Sequence, residues 1–94
     1  MDEKRCFKAL EMILSKRFPS HYYAIGSYGE AALCIEKRDR KWIVYNGERG
    51  NQYNVKEFDT IIQACMFFLK EMSENVDELK EMENELIHLL NDVA

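Results

Sequence analysis

Residues 20–49, SHYYAIGSYGEAALCIEKRDRKWIVYNGER, decide the fold. The stretch is rich in aromatic and β-branched residues and is interrupted by turn formers, which is the composition of strands. His21 to Ile25 reads as a first strand, Glu30 to Lys37 as a second and Lys41 to Arg49 as a third. The turns between them are Gly26-Ser27-Tyr28-Gly29 and the charged Arg38-Asp39-Arg40. Connections this short predict antiparallel neighbours. Leu33 and Ile35 alternate with Ala32, Cys34 and Glu36, and Trp42 and Val44 with Ile43 and Tyr45. Both sheet faces are therefore partly apolar, and one of them carries the helices. Asn46-Gly47 is a competing hairpin signal, because both residues tolerate positive φ; a turn there makes Gln52 to Val55 a fourth strand. The preferred reading keeps the third strand running to Arg49, followed by a loop from Gly50 to Glu57.

Upstream, Phe7, Leu10, Ile13, Leu14 and Phe18 recur at steps of three and four, which predicts an amphipathic helix over residues 3–18 closed by Pro19. Downstream, Asp59 or Asn54 caps a second helix, with Asn54 and Glu57 at capping-box spacing. Ile61, Cys65, Phe68, Met72, Asn75, Leu79, Met82, Leu86, Leu89 and Val93 then form a heptad seam with one polar member. The seam fits a single helix of about 50 Å or two helices broken near Ser73-Glu74-Asn75, where Asn75 and Glu78 repeat the capping-box spacing. The break is preferred, because one continuous helix leaves its C-terminal half without a core unless the chain dimerises. The expected architecture is α+β in one domain over residues 1–94: an N-terminal helix, a three-stranded antiparallel sheet and one or two C-terminal helices, the last acidic over 74–93.

The composition agrees with one folded domain: 94 residues, 47% hydrophobic and 32% charged, with one proline and four glycines. The net charge of −4 is unevenly placed, since residues 1–70 carry 12 basic and 9 acidic groups while residues 71–94 carry Lys80 against eight carboxylates. Such an end repels phosphate and attracts cationic proteins, which argues against direct nucleic-acid binding. No apolar run is long enough to cross a bilayer, and the charged start MDEKRCFK is unlike a signal peptide, so a cytoplasmic chain is expected. Cys6, Cys34 and Cys65 are odd in number and irregularly spaced, so they read as reduced thiols.

Catalytic chemistry has little to draw on. His21 and His88 lack a second ligand at helical spacing, and Cys34 in an alternating strand is a small apolar filler before it is a partner for His21. No glycine loop of the phosphate-cradling kind is present. Lys37-Arg38-Asp39-Arg40-Lys41 beside Trp42, with Tyr22, Tyr23 and Tyr28, outlines a base-stacking platform, but a solvated hairpin tip over core aromatics explains the same residues. No catalytic residue, cofactor or metal is expected.

Glu48-Arg49-Gly50-Asn51 is more specific: either an ion pair pins this turn or the turn contacts a partner. Asp77, Glu78, Glu81 and Glu85 recur at helical steps, either as a solvated face or as a surface met by Lys and Arg of a nuclease.

Trp42-Ile43-Val44-Tyr45, then Glu48-Arg49-Gly50, a short loop to Phe58, and Ala64-Cys65 followed by Phe67-Phe68-Leu69 form a familiar series. Over residues 20–72 it resembles the small α+β immunity proteins encoded beside bacterial polymorphic or contact-dependent toxins. The resemblance implies binding and blocking of a cognate toxin domain in the cytosol, without catalysis, and carries over Glu48, Arg49 and Gly50 as motif positions. The expected contacts are Glu48, Arg49, Asn51 and Tyr53 together with Asp77, Glu78, Glu81 and Glu85, facing a basic toxin domain, a nuclease. A phage-type nuclease inhibitor and a coiled-coil adaptor that homodimerises through the C-terminal helix are the alternatives.

Overall fold

A computed structural model describes residues 2–91. The chain order is α1 (Glu3–Ser15), a 3-10 turn (Ser20–Tyr22), β1 (Tyr23–Ile25), β2 (Ala32–Arg38), β3 (Lys41–Glu48), β4 (Asn51–Phe58), α2 (Ile61–Met72) and α3 (Val76–Asn91). The fold is α+β, but the sheet has four strands in the order β1-β2-β3-β4, and it is mixed.

Helix α1 starts where Asp2 accepts the backbone N–H of Lys4 at 3.0 Å. It buries Cys6, Ala9, Leu10, Ile13 and Leu14 on one face. It stops at Ser15 rather than Phe18, because the N–H groups of Arg17 and Phe18 both turn back onto the Leu14 carbonyl.

The antiparallel expectation fails at β1, which pairs with β2 in parallel, Tyr23 opposite Leu33 and Ile25 opposite Ile35. Parallel strands usually need a long crossover. Here β1 is only three residues long, so the chain must retreat only about 10 Å, a span that residues 26–31 cover easily. The same shortness places His21 and Tyr22 in the 3-10 turn instead of the strand.

The loop expected over Gly50 to Glu57 is instead strand β4. Arg49 (φ 52°) and Gly50 (φ 78°) form the two-residue primed turn that joins it to β3, because such turns match the twist of the flanking strands. Asn46-Gly47 is not the turn and lies inside β3. Gly47 is needed for a different reason: a Cβ there would sit 2.3 Å from the Gly29 carbonyl oxygen. Val44 pairs with Lys56 and Asn46 with Tyr53, so Tyr45 faces both Asn54 and Val55 across a bulge, with Asn54 at φ 54°. β4 is exposed along its length except at Phe58, and the bulge interrupts the ladder of this edge strand.

Helix α2 is capped by Thr60 with Gln63 in a reciprocal box, not by Asp59 or Asn54. The two C-terminal helices are separate, broken at Ser73-Glu74-Asn75. Asn75 accepts the Glu78 N–H at 2.8 Å, while the Glu78 side chain accepts from Glu74 N–H. The seam therefore folds back on its own chain: Cys65, Phe68, Met82 and Leu86 lie fully buried together with Leu10, Ile13, Ile35 and Val44. Val93 of that seam, Asp92 and the end of the acidic 74–93 segment lie outside the described residues.

All three helices share one side of the sheet, with α2 against β2, β3 and β4, and α3 across α1 and α2. The opposite face carries a smaller cluster, Ala32, Cys34, Ile43 and Tyr45, beneath the loop of residues 26–31. Tyr28 of that loop stacks on Tyr45 at 6.4 Å between ring centroids.

Candidate partner interface

The Glu48-Arg49-Gly50-Asn51 turn is held, but not by an ion pair between its own side chains. Glu30 accepts the backbone N–H of Arg49 at 2.8 Å, and the Tyr28 hydroxyl accepts that of Gly50 at 2.7 Å while donating to Glu30 at 2.7 Å. The two turn residues at positive φ direct their amides to one side, where they form a concavity that suits a carboxylate. These contacts hold the Glu30 carboxyl below its ordinary value, the Arg49 amide contributing most. The side chains of Glu48 and Arg49 are left exposed and outside every ion pair of the described residues. Asn51 reaches back to the Arg49 carbonyl at 3.4 Å. Sequence reasoning found the turn and missed its holder, since Tyr28 and Glu30 lie some twenty positions upstream.

The expected acidic face of α3 is partly neutralised by α1. Glu85 pairs with Lys16 and, at 3.4 Å, with Arg17, which also reaches Glu81 at 3.6 Å. The Lys16 hydrogen bond, with the charges of Lys16 and Arg17, holds the Glu85 carboxyl below its ordinary value against the opposing effect of burial. Glu78 caps its own helix. Of the four expected carboxylates, only Asp77 is exposed and in no hydrogen bond or ion pair among the described residues.

Two of the expected residues, Glu48 and Tyr53, meet in an open groove of about 800 Å³ at the hairpin end of the sheet. Its walls include Phe18, Tyr22, Leu33 and Met72, drawn from four separate segments. Tyr22 and Tyr53 are 50% and 46% exposed, so both present aromatic area at this surface. Glu71 and Glu74 complete the rim with Glu48, and none of the three is in an ion pair among the described residues. Among the described residues no lysine or arginine lines this groove; Lys56 borders the adjoining recess that runs toward Phe67 and shares Glu71 with the groove. Glu71 also stands in the last turn of α2, where the helix dipole is already negative, so its charge there raises the attraction for cations and opposes helix stability. Sequence reasoning counted Glu71 and Glu74 in the acidic end, Glu74 also in the helix break, and read Tyr22 as a strand residue and a candidate stacking ring; their convergence needs the helix break and the 3-10 turn.

The other candidates are dispersed. Trp42 lies on the helix side, donating to Glu3 at 3.3 Å, whereas Tyr28 lies on the outer face, so these rings form no common platform. Lys41 pairs with Asp59 at 2.8 Å, and Lys37 lies 5.6 Å over the Trp42 ring. Cys34 is fully buried against the Gly29 and Ala32 backbone, while His21 is exposed, edge-on to Tyr22. Among the described residues no group of His, Cys, Asp and Glu is arranged to hold a metal ion, and no helix is long and apolar enough to cross a membrane. No protein-family model, no curated protein and no solved structure matches this chain.

Proposed function

We propose that this chain is a protein-binding inhibitor of the immunity type, which binds a basic toxin domain, a nuclease, in the producing cell's cytosol and blocks it without catalysis of its own. The observation that carries this reading is the groove, where two exposed tyrosines line the same surface as three carboxylates that are in no ion pair among the described residues. A surface of that composition suits a cationic protein, because aromatic area supplies affinity while charge steers the encounter and repels acidic competitors. Arg49, Asn51 and Asp77 are secondary contacts in this reading, and Glu78, Glu81 and Glu85 serve the fold first. An adaptor dimer through the C-terminal seam is disfavoured, since Met82 and Leu86 are already buried within the chain.

Co-expression with a toxin domain encoded beside its gene, where the gene has such a neighbour, or otherwise with basic nuclease toxin domains, tests this. Rescue of growth by the intact chain, and loss of rescue when Glu48, Glu71 and Glu74 are changed together to glutamine, is the expected result. A chain that leaves the co-expressed toxin fully active, or a triple variant that protects as well as the original, removes the reading.

A further inference from the structure

We infer that the groove is built to receive an arginine side chain presented by an extended basic segment of the partner protein, an inference that rests on the groove's being the partner-binding surface. Three features converge on that chemistry. Among the described residues, Glu48, Glu71 and Glu74 on the rim are in no ion pair and no cation lines the groove with them, so a positive group gains attraction without displacing an internal pair. Glu71 stands in the last turn of α2, where the helix dipole is negative, with Lys70 beside it in the same turn. The walls, Phe18, Tyr22, Tyr53 and Met72, are flat or polarisable surfaces that fit the stem and the planar head of a long cationic side chain.

Arginine answers these features better than lysine. Its guanidinium is planar and weakly hydrated, stacks on tyrosine and takes carboxylates through two parallel hydrogen bonds, whereas an ammonium is a strongly hydrated point charge. The groove, open and of about 800 Å³, also has room for more than one side chain, which suits a peptide segment. Lys56 lines the adjoining recess together with Glu71, so it sets a limit at that end, and a second positive charge on the segment is directed away from it, toward Glu48 and Glu74.

The test uses the full chain and synthetic probes, with no toxin required. A short extended peptide carrying arginine at alternate positions is titrated against the isotopically labelled protein by NMR, beside analogues bearing lysine or uncharged citrulline, and beside free arginine amide. The expected result is amide shifts confined to Tyr22, Leu33, Tyr53 and Met72, with the citrulline peptide at least about tenfold weaker and the lysine peptide intermediate. The Glu48→Gln, Glu71→Gln, Glu74→Gln triple variant loses the shifts while retaining its native spectrum. Shifts centred on Asp77 or on the Arg38 to Lys41 tip overturn the inference, as do a citrulline peptide that binds equally well, free arginine amide that binds as tightly as the peptide, or an arginine peptide that produces no shift. Because growth rescue is a separate readout, rescue without arginine-peptide binding removes only this inference. Peptide binding at the groove without rescue removes only the toxin-neutralising reading.

Discussion

The Glu30 carboxylate and the Arg49 backbone amide, 2.8 Å apart, tie the loop after β1 to the turn between β3 and β4. The contact closes the outer face of the sheet, because the same loop seats Tyr28 on Tyr45 and the Gly29 amide on Cys34 at 3.3 Å. It is therefore a long-range clamp on a local turn.

Changing Glu30 to alanine lowers the melting temperature at neutral pH more than changing it to glutamine, which retains an acceptor. Because the Glu30 pKa is depressed in the folded chain, its contribution is complete above the ordinary carboxyl value of 4.5 and is lost as pH falls through the lowered folded value. Melts of the alanine variant and the parent should therefore converge in acid. Curves that stay equally separated at every pH assign the clamp to packing and not to the carboxylate.

Gly47→Ala forces a methyl group to 2.3 Å from the Gly29 carbonyl oxygen and 2.9 Å from the Tyr28 ring. The loop must lift, at a cost of about 1–3 kcal/mol in urea unfolding. At Gly50, where an added Cβ would meet no described atom within 4 Å beyond its chain neighbours, alanine introduces no clash, and the loss there reflects only the left-handed backbone.

Lys16 and Glu85 join α1 to α3, with side chains 61% and 23% exposed. A double-mutant cycle with Lys16→Met and Glu85→Gln should return a coupling of about 0.5–1 kcal/mol that shrinks in high salt. The Glu85 carboxyl is depressed, first by the Lys16 hydrogen bond, so this stability is present above its ordinary value and lost on acidification through the lower folded one. Charge reversal across Asp77, Glu78, Glu81 and Glu85 accordingly lowers the melting temperature as well as any association rate, since Glu81 and Glu85 pair with α1 and Asp77 and Glu78 stand in the first turn of α3, where negative charge favours the helix.

Burial raises the pKa of all three cysteines, with Cys65 pushed up to about 12. Since the thiolate is the reactive form, the native chain should resist maleimide at neutral pH and take up three labels when denatured. In the Glu30→Ala variant Cys34 should label before Cys65, because the loop above it has lost its clamp. Equal rates for the two thiols indicate that reaction requires global unfolding.

Glu71→Gln removes a negative charge from the last turn of α2 and should raise stability by about 0.3–1 kcal/mol while weakening the binding of basic peptides. A variant that is both less stable and unchanged in binding marks Glu71 as a structural residue.

Local backbone rules made much of this molecule legible. Periodicity set the buried faces of α1 and α2, alternation set the two apolar faces of β2 and β3, and Asn75 with Glu78 marked the helix break. Each of those signals is carried by residues a few positions apart, where sterics and hydrogen-bond reach act without knowledge of the rest of the chain. Gly47 shows where that reach ends: Asn46-Gly47 has the composition of a turn, yet the glycine is there because Gly29 approaches from another segment. The parallel pairing of β1, the neutralisation of Glu81 and Glu85 by Arg17 and Lys16, and the meeting of Tyr22, Tyr53 and Glu71 in one groove depend on contacts between segments far apart in the chain. Tertiary packing alone decided those, because a charge or an aromatic ring takes its role from what the folded chain places beside it.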